Sequence, residues 1–175
     1  MSSSEQRYNI GDYVMHESAG VCRVAAIEEL ALQGKGSEKM YYQLLPVYHT
    51  DGQIITPVED KNHRIRPVKS PEEMKSIMDH VGELDVVQER NERQRQEKLK
   101  AKMAEFEPSS LAGVVKTVYL RKKNRLKAGK KSMSVDDRIL QQAGERLFEE
   151  MAFSMKTEIS AVEKTFFSGL DSLSK

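Results

Sequence analysis

The strongest constraint on the fold is a change of hydrophobic period at residue 70. Before it, apolar residues come in short runs rich in β-branched and aromatic side chains: "YVM", "CRVAAIEEL", "KMYYQLLPVY", "IITPV" and "HRIRPV". Runs of this kind, bounded by glycine and by charged stretches such as "QGKGSE", predict five short strands. The stretch "TDGQ" at 50–53 adds an Asp-Gly turn between the third and fourth runs, a strong short-range hairpin signal. Strands this short suit a small SH3-like or Tudor-like barrel, because closing a small sheet hides its edges.

After residue 70 the spacing becomes helical. In "SPEEM", Ser70 is placed as N-cap, Pro71 at the first helical position and Glu73 three residues after the cap, which is a capping box. Met74, Ile77, Met78 and Val81 then share one helix face. Asp85 to Phe106 is sparsely apolar, with Val87, Leu99, Met103 and Phe106 among many charges, and predicts a long, mostly exposed helix. Pro108 restarts the chain, and Leu111, Val114, Val115 and Val118 mark another stripe. "KAGKKSMS" predicts a loop, with Ser134 capping a helix whose buried face is Leu140, Ala143, Leu147 and Met151. A last helix carries Ile159, Val162, Phe166 and Leu170. The expected class is α+β: an N-terminal SH3-like/Tudor-like β barrel at 1–68, then a C-terminal all-α bundle of four or five helices at 69–175.

The polar cluster His16, Glu17, Ser18 and Cys22 raises the question of catalysis. There is no G-x-S-x-G elbow, no H-E-x-x-H pair and no Walker-type phosphate loop. His16, His49, His63 and His80 lack ligand spacing, and one cysteine offers neither a disulfide nor a zinc site. The cluster therefore reads as a turn or strand end, and Cys22 as a small buried apolar residue. No catalytic activity, cofactor, metal or small-molecule substrate is expected. No run of ~18 apolar residues suggests a membrane span, and "MSSSEQRYNI" lacks a secretory h-region. A cytoplasmic location is expected.

A net charge of +1 conceals segregation. Lys116, Arg121, Lys122, Lys123, Arg125, Lys127, Lys130 and Lys131 fall in one stretch with no acid between them, whereas acids outnumber bases from Ser132 onward. Ordinary helices relieve such repulsion with Glu-Lys pairs four residues apart. Phosphate binding would justify its absence; a plain solvated surface or a protein partner remain open. A second stretch, Glu89 to Met103, mixes Arg90, Arg93, Arg95 and lysines with acids and reads as a solvated helix with internal ion pairs.

The motifs taken together carry a resemblance. "GDYVMHESAGVCRVAAIE" resembles the opening of CarD-type (CdnL-type) bacterial transcription regulators, through Gly11, Asp12, Val14, Gly20, Val21, Val24, Ile27 and Glu28. "YYQL", the proline of "TPVEDKNHRIRPV", "VVKTVYLRKK", "SMSVDD" and "AGERLFEEM" continue the likeness in order. The resemblance implies an N-terminal RNA-polymerase-interacting domain, shared with transcription-repair coupling factors, that docks on the polymerase β subunit. It further implies a helical domain that meets promoter DNA at the upstream edge of the transcription bubble and stabilises the open complex. A nucleoid-associated location without membrane contact follows.

On this resemblance the DNA contacts fall on Asn91, Arg93, Arg95, Arg121, Lys122, Lys123, Arg125, Lys127, Lys130 and Lys131. The tryptophan that many relatives wedge into the minor groove falls near Asn91, and a nearby tyrosine appears as Arg95, so the apolar wedge is lost. The polymerase contact falls on Leu30, Ile55 and Pro57, within Glu28–Leu32 and Asp51–Pro57. Leu30 and Ile55 stand where some relatives have basic residues, which favours an apolar patch. A rival expectation is a polymerase-binding adaptor whose helices hold a protein partner.

Overall fold

The computed structural model describes residues 6–50 and 52–173. The chain divides into two compact units, 1–68 and 69–175. The first holds five antiparallel strands: β1 (Tyr13–His16), β2 (Gly20–Leu30), β3 (Lys39–Pro46), β4 (Ile54–Pro57) and β5 (Ile65–Pro67). Their order in the sheet is β4-β3-β2-β1-β5. Among the described residues no ladder joins β4 to β5, so β4 and β5 are sheet edges and a closed barrel is not formed by hydrogen bonding.

Period-2 alternation sets the core face. Val14 and Cys22 stand opposite each other, as do Val24 and Leu44, and Tyr42 and Thr56, and all six side chains are buried. The Tyr42 hydroxyl accepts from the backbone N–H groups of Arg7 (3.0 Å) and Tyr8 (3.3 Å), tying the N-terminal segment to this core. The β2–β3 register shifts between Val24 and Ala26, a bulge that lets the long β2 bend. β3 and β4 are antiparallel neighbours, as the hairpin signal predicts, with β3 stopping at Pro46 and β4 beginning at Ile54. Asp51 of the Asp-Gly pair lies outside the described residues.

The second unit contains α1 (Pro71–Asp79), a single 3-10 turn at Val81–Glu83, α2 (Glu92–Ala104), α3 (Pro108–Lys127), α4 (Ser134–Met155) and α5 (Ile159–Ser172). The capping box on α1 is present in both directions: Glu73 N–H donates to Ser70 Oγ and Ser70 N–H to a Glu73 carboxylate oxygen. The helical core joins Met74, Leu99, Leu111, Val115, Val118, Leu147, Met151 and Leu170 with an aromatic cluster. In that cluster Phe148 meets Phe166 edge to face at 5.4 Å.

Two expectations about helix starts need correction. The helix expected over 85–106 occupies only Glu92–Ala104, capped by Asn91, whose side chain accepts from Gln94 N–H. Tertiary contacts override helix formation before it: Val87 N–H donates to Thr117 Oγ1 at 3.0 Å, drawing this segment across α3. The crossing is so close that a Cβ on Gly113 would sit 2.7 Å from the Asp85 carbonyl oxygen. Nor does Ser134 cap α4; it is the first helical residue, and Met133 occupies the cap position. No described helix is long and apolar enough to cross a membrane.

Candidate functional site

The basic run at 116–131 is acid-free only along the sequence. In the helical unit its first half is neutralised by carboxylates from other helices. Arg121 donates to Glu92 of α2 at 3.0 Å and lies 3.6 Å from Asp136 of α4. Lys122 pairs with Asp137 of α4 at 3.0 Å, and Lys123 with Asp171 of α5 at 2.7 Å. Lys116 is buried, and its ammonium donates to the carbonyls of Val81 (2.8 Å), Gly82 (3.1 Å) and Leu84 (2.9 Å). These three acceptors satisfy its three donors.

Arg95, expected at DNA, is 4% exposed. Its Nη2 donates to Asp136 at 2.7 Å and to Glu92 at 2.9 Å, so it is an internal tie between α2 and α4. Burial pushes the Asp136 carboxyl up from its ordinary value, with Arg121 opposing the shift. The half-buried acids Asp137 and Asp171 behave in the opposite way. The Lys122 ammonium, then the Ser132 hydroxyl, hold Asp137 below the usual carboxylate value, and Lys123 with Tyr119 does the same to Asp171. Burial, then Asp171, pushes the Tyr119 phenol up to about 12.

The remaining expected DNA residues are differently placed. Asn91 is exposed but commits its amide oxygen to the α2 cap. Arg93 is exposed and pairs within its helix with Glu97 at 3.2 Å. Arg125 Nε donates to the Lys131 carbonyl at 3.0 Å. Lys127, Lys130 and Lys131 are exposed at the end of α3 and in the following loop, with no carboxylate in ion-pair range among the described residues. The signal that sequence reasoning left unused was the acid surplus after Ser132, which is complementary to the basic run and supplies Asp136, Asp137 and Asp171.

In the sheet unit, register brings Leu30, Ile55 and Pro57 to one face. Leu30 stands opposite Lys39, Ile55 opposite Gln43 and Pro57 opposite Tyr41, all alternating with the core residues. Ile55 and Pro57 lie on the edge strand β4, and Ile55 is 41% exposed. The same face carries Glu28 and Gln53, which fall within the expected contact stretches, and Gln43, which does not: Gln43 Nε2 donates to Glu28 at 2.6 Å, and Gln53 Nε2 to Gln43 Oε1 at 2.5 Å. These side chains form a ladder across β2, β3 and the start of β4.

The opening cluster is a turn. His16 Nδ1 accepts from the backbone N–H groups of Ser18 (3.1 Å) and Ala19 (3.2 Å), with Ser18 Oγ also at 3.1 Å. His16 is buried and its ring nitrogen caps the tight β1–β2 reversal, where Gly20 takes a φ of 76°. Cys22 is fully buried.

Comparison with known proteins agrees with the sheet unit. Residues 8–69 match the family described as the CarD-like/TRCF RID domain, and the match stops beside the Ser70 cap of α1. No curated protein matches the chain. The helical unit lies outside the family match, whereas residues 8–69 belong to the CarD-like family of RNA-polymerase-interacting domains.

Proposed function

We propose that the chain is a non-catalytic regulator of transcription. Its sheet unit docks on the β subunit of RNA polymerase, and its helical unit touches promoter DNA at the upstream edge of the bubble and alters the lifetime of the open complex. The observation that carries the reading is the family match over 8–69, which covers the whole described sheet. The docking face is the one bearing Leu30, Ile55 and Pro57, where an unpaired edge strand offers backbone groups to a partner strand and Ile55 an apolar contact. DNA is held by Lys127, Lys130 and Lys131, with Arg93 and Arg125 flanking; the more N-terminal basic residues are committed inside the bundle. Without an apolar wedge, contact with DNA is through phosphates.

The test is co-purification of the full chain with RNA polymerase, then open-complex lifetimes with and without it at several salt concentrations. Replacing Lys127, Lys130 and Lys131 by glutamate should weaken promoter contact and flatten the salt dependence by roughly one log-log unit per lost phosphate contact. Failure to retain polymerase would remove the central claim.

A second reading is favoured by the pairing of Arg95, Arg121, Lys122 and Lys123 with acids. A helical unit that neutralises its own cations suits a protein partner as well as DNA. Retention of polymerase together with no upstream protection in footprinting would select this adaptor role.

A further inference from the structure

We propose that the groove between residues 86–92 and α3 binds a small phosphorylated ligand of nucleotide size. The groove is open to solvent on one side and has a volume of about 570 Å³, within the ~300–1,000 Å³ of small-molecule sites. Its floor is one face of α3, formed by Thr117, Leu120, Arg121, Asn124, Arg125 and Ala128 at helical spacing. Val86 and Val87 wall it on the other side. It therefore combines an apolar surface able to cover a ring with cations able to hold phosphate.

The charge balance favours an anion. Arg90, Arg95, Arg121, Arg125 and Lys130 line the groove against Glu89 and Glu92. Glu92 already shows how an anion sits there, since one carboxylate oxygen accepts from Arg95 at 2.9 Å and the other from Arg121 at 3.0 Å. A carboxylate bridging two guanidinium groups is the geometry that a phosphate adopts with the same pair. Arg95 Nε and Nη1 and Arg121 Nη1 are buried without a hydrogen-bond acceptor among the described residues, and Asp136 Oδ2, 3.6 Å from Arg121 Nε, is buried without a donor. A phosphate that displaces Glu92 would meet the Arg95 Nη2 and Arg121 Nη2 donors that now hold its carboxylate. Asn124 adds an exposed amide on the groove floor, suited to a polar ring edge.

The inference differs from DNA contact by Lys127, Lys130 and Lys131 because its site adds an apolar wall, which has no use for a phosphate backbone, although Lys130 borders both. Calorimetric titration of the full chain with ATP, GTP, inorganic pyrophosphate and a short DNA duplex separates the two. The expected result is saturable nucleotide binding with Kd below about 1 mM and pyrophosphate about tenfold weaker. Arg125→Gln should weaken nucleotide binding about tenfold, and Ala128→Leu, which adds bulk to the groove lining without removing a cation, should do the same. Glu92→Gln, which removes the competing carboxylate, should strengthen it. No saturable nucleotide binding, pyrophosphate equal to nucleotide, binding of the duplex alone, or unchanged affinity in both Arg125→Gln and Ala128→Leu would each overturn the proposal.

Discussion

Arg95 and Asp136 are 41 residues apart in the chain and 2.7 Å apart in the helical unit, both buried. The pair joins the start of α2 to the start of α4, and Arg121 and Glu92 complete the network around it. Breaking a buried pair by deleting one partner leaves an uncompensated charge, whereas replacing both with apolar residues removes the desolvation cost as well. Asp136→Ala should therefore lower stability by about 3–5 kcal/mol. The double variant Arg95→Met with Asp136→Leu should recover most of that loss. Urea unfolding of the three proteins reads the difference, and a double variant as unstable as the single would contradict it.

Gly113 is the second sensitive point. A methyl group there meets the Asp85 carbonyl oxygen at 2.7 Å, and the obstacle is backbone, which cannot rotate away. Gly113→Ala should cost about 1–3 kcal/mol despite the gain in helix propensity, by forcing residues 85–87 off α3. Hydrogen exchange should show Val87 N–H, which donates to Thr117, losing protection in this variant.

Lys156 ends α4 in the left-handed region at a φ of 55°. Glycine reaches that conformation without the Cβ penalty, so Lys156→Gly should raise stability by roughly 1 kcal/mol, visible as a higher Tm.

Acid should loosen the bundle through Asp137 and Asp171. Both have pKa values held below the ordinary carboxylate value by a lysine and a hydroxyl. A depressed carboxylate contributes stability that is fully present above its unfolded pKa, about 3.9, and is lost as pH falls through the lower folded value. Asp136 runs the other way, because its raised pKa imposes a cost at neutral pH that acid relieves. The Tm of the Asp137→Asn, Asp171→Asn protein should thus fall less between pH 5 and 3 than that of the unaltered chain. Equal slopes would refute the assignment.

The same two acids hold lysines that phosphate would otherwise attract. If Lys122 and Lys123 exchange acid for phosphate on binding, Asp137→Asn with Asp171→Asn should tighten promoter binding and steepen its salt slope by up to about 2. An unaltered slope would place both lysines outside the DNA contact.

The legible parts of this fold are those written in local spacing. Ser70, Pro71 and Glu73 mark the start of the helical unit because a capping box is complete within four residues. The strand runs were legible because they are rich in β-branched and aromatic residues and bounded by glycine and charged stretches, and the likeness at Gly11–Glu28 pointed to the family that residues 8–69 match. What was not legible is long-range. Arg95 looked exposed because its partner Asp136 is remote in sequence, and the basic run looked unrelieved because its acids come from α2, α4 and α5. Residues 85–91 carry no spacing that tells of Thr117 and Gly113, so nothing local stopped the predicted helix from starting too early. Nor does strand spacing reveal whether β4 and β5 meet.

Lys116 shows what such commitment means for heritable change. Its ammonium holds three carbonyls around the 3-10 turn, much as a keystone holds a course of masonry, and Arg121, Lys122 and Lys123 bind helix to helix. Variation at these four positions is filtered by whether the chain folds, before any partner is met. Lys127, Lys130 and Lys131 carry no such duty, so the molecule can retune its outer charge at the end of α3 while the scaffold beneath it stays fixed.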